Sequence, residues 1–303
     1  VMKIYNNANL NKKHTKGVIA IGNFDGLHLG HQKVINEAKQ KAKKYKLPLG
    51  IMTFEPVPVM FFNKKIKNHR INSLQQKIFQ LKKLKLDFLI IIKFNKNFSS
   101  LTAEKFIERV IFKKTKCKYL YVSRNFKFGF KRRGNIQTLK KFEKEFNYKK
   151  IITSPYKKNN KTISSTFIRK KIRIGKIEIV NKLLNRKWCI EGKVIRGKKR
   201  GRKIGFPTCN LSLNSYVVPK LGVYAVQVNT HRFKKNGVAN IGYRPTFNGQ
   251  NLLLETNIFG INKNLYNKVI SVSFKKFIRS EKKFKNLEQL KKQIELDIKQ
   301  AKK

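Results

Sequence analysis

Apolar positions follow two alternating rhythms as far as about Leu184 and a single one beyond it. Val18 to Ile21 is a continuous apolar, β-prone run, and a turn rich in glycine and asparagine follows at Gly22 to Gly26. From about Leu29 the period becomes helical, with Val34, Ile35 and Ala38 on one face, and it persists to about Tyr45. A second strand is expected at Leu49 to Phe54, stopped by Glu55-Pro56-Val57-Pro58. Leu74, Ile78, Leu81 and Leu84 repeat at helical spacing, and Phe88 to Ile92 reads as a third strand. Thr102 opens another helix on an imperfect capping box, turning Phe106, Val110 and Ile111 inward. Tyr119 to Val122 is a fourth strand, Ile136 to Phe146 a helix and Lys150 to Ser154 a fifth strand. Strands that alternate with helices predict an α/β domain, a parallel sheet with helices on both faces.

Beyond Leu184 the long helical pattern stops. Short runs broken by glycine and proline take over at Cys189 to Val194, Gly222 to Val228, Val238 to Ile241, Leu252 to Phe259 and Val269 to Phe274. Such spacing predicts a small closed β-barrel. A final helix from Leu287 to Lys303 is expected to pack on it through Leu287, Leu290, Ile294 and Ile298. Lys157 to Lys161 reads as a loop. The 303 residues suit two domains, placed at 1–184 and 185–303.

Composition changes this picture little. Lysine and arginine total 72 against 15 acidic residues, a formal charge of +57 that would ordinarily suggest a polyanion partner. The basic residues are spread over every predicted element, however, and accompany an excess of Asn, Ile and Phe, all residues of A/T-rich codons. Mutational bias is the preferred source, leaving nucleic acid only non-specific attraction. Cys117, Cys189 and Cys209 are far apart and without CxxC pairing, as expected of reduced thiols in a cytoplasm. Residues 2–16 lack the apolar core of a signal peptide, and the longest apolar runs are too short to span a bilayer, so no membrane association is expected.

Candidate chemistry concentrates in five places. His28 and His31 lie on one side of a first helical turn, beside unpaired N–H groups and the positive end of the helix dipole, where phosphate binds well. Ser123 to Gly129 interleaves aromatic and basic residues after the fourth strand, and Ser164-Ser165-Thr166 starts a helix that carries Arg169 one turn on. Gly197 to Asn210 is a glycine-spaced basic loop ending in Pro207, Thr208 and Asn210, whose neutral oxygens suit a hard cation such as Mg²⁺. It contains no GxxxxGK[ST] and is not a Walker A loop. Finally, Glu255 follows three leucines on a probable strand and could take a proton from an attacking hydroxyl.

The Gly17 to His31 stretch resembles the signature of HxGH nucleotidyltransferases, whose adenylyl donor is ATP and whose fold is Rossmann-like. With Phe54-Glu55-Pro56, Phe126 to Gly129, Ile163 to Arg169, Gly201 to Asn210, Gly222 to Ala225, Gly237 to Thr246, Leu254-Glu255, Leu265-Tyr266 and Ile278 to Phe284, the chain resembles bifunctional bacterial riboflavin kinase/FAD synthetases over almost its whole length. The resemblance implies that the second half phosphorylates riboflavin to FMN with ATP and the first adenylylates FMN to FAD, releasing pyrophosphate. It assigns Glu255 as the general base and Thr208 and Asn210 to Mg²⁺. Gly201, Arg202, Gly205, Pro207, Arg279 and Phe284 would contact ATP or flavin. In the first half His28 and His31 would steady the phosphates, with Gly22, Asn23, Phe24, Asp25, Gly26 and Asn125 around the substrates. Ser164, Thr166 and Arg169 would hold the pyrophosphate side. Ser123, Asn72, Gln75, Gln76, Asn185 and Arg196 depart from the residues usual in that family. Two other readings compete: an RNA-binding protein on a decayed nucleotidyltransferase, and an HxGH adenylyltransferase with a single activity.

Overall fold

A computed structural model describes residues 1–197, 200–246, 249–261 and 264–303. Lys198 and Lys199 of the expected basic loop lie outside them. By packing, the chain divides into one unit of Val1–Ile66 with Leu74–Ser164 and another of Lys67–Ser73 with Ser165–Lys303.

The first unit runs β1 (Lys3–Tyr5), β2 (Val18–Ile21), α1 (Leu29–Lys44), β3 (Leu49–Glu55), α2 (Pro58–Phe62), α3 (Leu74–Lys82) and β4 (Phe88–Lys93). It continues through α4 (Lys96–Ser99), α5 (Ala103–Phe106), β5 (Tyr119–Ser123), α6 (Ile136–Lys141) and β6 (Lys149–Thr153). The six strands form one parallel sheet ordered β1-β4-β3-β2-β5-β6. Two apolar cores line it, one around Ile19, Phe88 and Leu120 and the other around Val18, Ile51 and Leu89, which is why β2 and β3 read as unbroken apolar runs. The order reverses beside β2, with β3 on one side and β5 on the other, and ligands bind beyond the strand C-termini at such a switch point. The signature turn leaves β2 there, and the segment bearing Asn125 leaves β5.

Local details differ from the sequence pattern. Thr102 does cap α5, accepting from Lys105 N at 3.2 Å, but the helix continues as π-helix from Ile107 to Thr115. The helix at Ile136 ends at Lys141, short of Phe146. Lys157–Lys158 (β7) and Lys161–Thr162 (β8) form a two-stranded hairpin where a loop was expected, turned by Asn159 and Asn160 at positive φ.

The second unit holds α7 (Ser165–Arg173), α8 (Ile177–Leu184), β9 (Cys189–Lys193), the single turn α9 (Arg200–Lys203) and β10 (Cys209–Ser212). Then come β11 (Gly222–Asn229), β12 (Lys234–Thr246), β13 (Gly249–Ile258), β14 (Val269–Arg279) and α10 (Leu287–Lys302). Its antiparallel sheet, β10-β13-β12-β11-β14-β9, nearly closes through an Ile195–Asn210 bridge. Trp188 lies within, packed on Phe274 and donating Nε1 to Ile71 O at 2.8 Å, so Lys67–Ser73 belongs to this core. On α10 the inward stripe is Ile298, Asp297 and Ala301, while Leu287 is 68% exposed. The expected stripe began one turn too early, and it left out the inward polar member, Asp297, which pairs with Arg279: Nε to Oδ1 is 2.8 Å and Nη2 to Oδ2 is 2.6 Å.

Candidate active sites

In the first unit the chain leaves β2 and turns sharply, with Phe24, Gly26 and Leu27 all at positive φ, before α1 starts. His28 is the N-cap of α1, its Nδ1 accepting from His31 N at 3.3 Å. The two imidazoles stack, with centroids 3.7 Å apart and planes 20° from parallel, and Phe24 meets His31 edge-on at 5.2 Å. Gly30 is fixed by this arrangement, since a Cβ there would lie 3.0 Å from the His28 ring and 3.3 Å from Ile163 O. Asn23 O accepts from the buried Lys77 Nζ at 2.7 Å and from Thr53 Oγ1 at 3.2 Å, which ties the turn to α3 and β3. Lys77 carried no sequence signal beyond its place in an amphipathic helix.

Asp25 is buried in the turn, whereas Asn23 and Asn125 are exposed. Phe126 and Phe128 do not stand apart as a clamp. They stack on each other at 5.3 Å, and Phe128 is buried against Phe106. An aromatic wall that the sequence did not single out runs beside β3 and β4: Phe54, Phe61, Phe94 and Phe98, with ring centroids 5.3 to 6.0 Å apart. Ser164 closes the first unit, while Thr166 and Arg169 belong to the second, where Arg169 Nε donates to His69 O at 2.8 Å.

In the second unit strand register assembles the site. Glu255 on β13 lies directly across from Asn210 on β10 and from Asn240 on β12, so the three side chains share one sheet face. Their neighbours Leu211, Leu254 and Ile241 are fully buried on the other face. The sequence missed β10 because four residues at the end of a basic loop carry little alternation. Asn210 is 6% exposed, and its Oδ1 has no hydrogen-bond partner among the described residues. Gly197 lies so close that a Cβ would overlap Asn210 Nδ2. Glu255 Oε2 accepts from Arg244 Nε at 3.0 Å and from Nη2 as well. Burial works to lower the Arg244 guanidinium, but the bonds and charges of Glu255 and Glu281 outweigh it and raise its pKa.

A cleft borders the β10–β13 ribbon, lined by Val194, Arg202, Pro207, Thr208, Thr256 and Tyr266. Thr256 Oγ1 is buried in it and, among the described residues, has no hydrogen-bond partner. Gly201 O takes Phe206 N at 2.8 Å and Arg202 O takes Gly205 N at 3.3 Å, folding the glycine loop over its rim. Thr208 is exposed at that rim, and Pro207 O accepts Asn257 Nδ2 at 2.8 Å. Arg279 is held by Asp297 and lies 5.9 Å from the Phe284 ring. Burial pushes the Cys209 thiol up to about 12, so it stays protonated beside this site.

Family models match in two blocks: FAD synthetase over residues 10–167 and riboflavin kinase over 184–303. A bifunctional riboflavin kinase/FMN adenylyltransferase of Buchnera aphidicola (Schizaphis graminum) is 42% identical over 299 residues, 97% of this chain and 96% of its own. That of Bacillus subtilis is 40% identical over 96% of this chain and 93% of its own. Among solved structures, one from Streptococcus pneumoniae described as a macrolide-efflux protein superposes with a TM-score of 0.86 at 30% identity, covering 100% of this chain and 99% of its own. Among the described residues here, no helix is long and apolar enough to cross a membrane.

Proposed function

The chain belongs to the bifunctional riboflavin kinase/FMN adenylyltransferase family, making FMN from riboflavin and ATP and then FAD from FMN and ATP, and on that premise we propose which residues carry each step. Kinase chemistry is assigned to the row on β13 and β10. Glu255 takes the proton of the riboflavin 5′-hydroxyl as that oxygen attacks the γ-phosphorus of ATP, and ADP leaves. The observation that supports this most is the register that brings Glu255 and Asn210 side by side on one face. Thr208 and Asn210 would hold Mg²⁺; two neutral oxygens, one of them buried without a partner, fit a hard cation. When bound, the ion neutralises phosphate charge that develops during transfer. The Val194–Tyr266 cleft takes the nucleotide, with Gly201, Arg202, Gly205 and Pro207 at its rim, while Arg279 and Phe284 border the flavin. We draw the functional boundary at 184/185.

Adenylyl transfer is assigned to the first unit. There an FMN phosphate oxygen attacks the α-phosphorus and pyrophosphate leaves, so no protein nucleophile is required. The His28–His31 stack and the first-turn N–H groups of α1 receive the phosphates. Gly22 to Gly26 lets the backbone approach the nucleotide, Asn125 lies across the switch point, and the Phe54–Phe98 wall seats the flavin ring. Ser164 takes the pyrophosphate side; Thr166 and Arg169, expected there by resemblance, belong to the second unit. A cytoplasmic location accords with soluble cosubstrates. Neither competing reading has a supporting observation, because both family blocks are present.

Incubating the protein with riboflavin, ATP and Mg²⁺ and separating the flavins by chromatography tests this. FMN should appear first and FAD after it; omission of Mg²⁺ should stop the kinase step.

A further inference from the structure

Glu255 does not stand alone on its sheet face. Arg244 lies four residues beyond Asn240 on β12, on the same face, with Gly242 between them. That glycine leaves a lane: a Cβ there would lie 2.9 Å from Arg244 Nη1 and would overlap Glu281 Oε1. Through it the Arg244 side chain folds back toward Glu255. Both bonding donors, Nε and Nη2, converge on a single oxygen, Oε2. The other oxygen, Oε1, makes no hydrogen bond among the described residues. Nη1 donates to Tyr243 O at 3.1 Å and lies 3.6 Å from Glu281 Oε1, on the segment that also carries Arg279 and Phe284. With its amide oriented to satisfy both neighbours, Asn240 accepts Nη2 at 2.6 Å and donates to Gly222 O at 3.3 Å.

We propose that Arg244 is a positioning residue of the kinase reaction, gripping Oε2 of Glu255 so that Oε1 alone faces the hydroxyl, and tying the base to the Glu281 segment. This rests on Glu255 being the base. A carboxylate without the fork would rotate among orientations, and small misplacements of a reacting group cost rate steeply. A lysine in this place would supply charge but not two donors in a fixed plane. The groups that face Glu255 among the described residues are Asn210 from β10, Asn240 and Arg244 from β12, Asn257 on its own strand and, through Arg244, Glu281.

Arg244→Met and Arg244→Lys, each assayed for kcat and KM of FMN formation and for conversion of supplied FMN to FAD, test the assignment. For Arg244→Met, kcat of FMN formation should fall about 10- to 100-fold while the KM for ATP stays within about twofold. FAD formation from supplied FMN should not change. Arg244→Lys should leave kcat reduced as well, because charge alone does not hold the carboxylate in a fixed plane. An unchanged kcat in Arg244→Met, or a parallel loss of both reactions, overturns the proposal; if that variant does not accumulate folded, an unchanged kcat in Arg244→Lys does so. Glu255→Gln separates the two failures. If it retains FMN formation, the base assignment itself falls; if it is inactive while Arg244→Met matches the parent, only the role of Arg244 falls.

Discussion

The two candidate sites use the same nucleotide but are made of different material. In the first unit the proposed site is mostly backbone: a turn with three residues at positive φ, the start of α1, and two rings stacked at 3.7 Å. In the second it is a row of side chains, Asn210, Glu255 and Asn240, aligned by register across three strands and braced by Arg244. The chemistry accounts for the difference. An FMN phosphate is already an anionic nucleophile, so the first site has only charge and geometry to supply. A riboflavin hydroxyl must lose a proton, and the second site therefore needs a carboxylate with something to aim it.

That contrast breaks most visibly in paired variants. Glu255→Gln should cut FMN formation by about a hundredfold or more and leave supplied FMN converting to FAD. His28→Ala should do the reverse, losing both the ring stack and the α1 cap, with FAD formation down about tenfold or more. Should either variant lose both activities, the two sites are not separate in function, and the division argued above fails. Next in size is the brace beneath the second site. Asp297 is 3% exposed and binds Arg279 through both oxygens. Asp297→Ala leaves the half-buried Arg279 guanidinium without its counterion, at a cost of about 3 kcal/mol. Trp188 is the only tryptophan and lies in the second unit, so its fluorescence reports that unit selectively. Its thermal transition should fall by roughly 10 °C, while FMN adenylylation at 25 °C persists.

The same contrast decides what could be read in advance. A site made of contiguous backbone is visible in contiguous sequence. The strand, glycine turn and His pair of Val18 to His31 announced β2, the turn and α1 to within a residue or so. The barrel strands were legible for a related reason, since alternation marks a half-buried strand locally. A site made by register is not local. Nothing near Arg244 says that its fork will reach eleven residues along to Glu255, nor does Asp297 declare Arg279 as its partner. Lys67–Ser73 joins the second unit through Trp188 and Ile71, a long-range match that no periodicity encodes. Phe128 illustrates the converse error: an aromatic beside basic residues looked available, yet its ring fills core space against Phe106.

The smallest expected effect separates the units by pH rather than by rate. His14 is buried under Phe88, ring centroids 5.1 Å apart, and its Nδ1 shares a 2.7 Å hydrogen bond with Tyr5 Oη. Burial, then the charge of Lys13, lower its pKa from the usual 6.5, although Asp87 acts the other way. In the unfolded chain the imidazole titrates near 6.5, so just below that pH the unfolded state binds the extra proton and the folded state does not. Stability of the first unit is accordingly complete above about pH 6.5 and declines as pH falls toward the lowered folded value, below which the loss levels off. Hydrogen exchange of the Ile19 and Leu120 amides, followed from pH 7.5 to 5, should therefore quicken beyond its intrinsic pH dependence, by less than about 1 kcal/mol in opening free energy. Trp188 fluorescence in the same samples should show no matching change. His14→Gln removes the titrating group and should flatten the slope in the first unit; a slope that survives the substitution would assign the acid sensitivity to other groups and erase this last difference between the two halves.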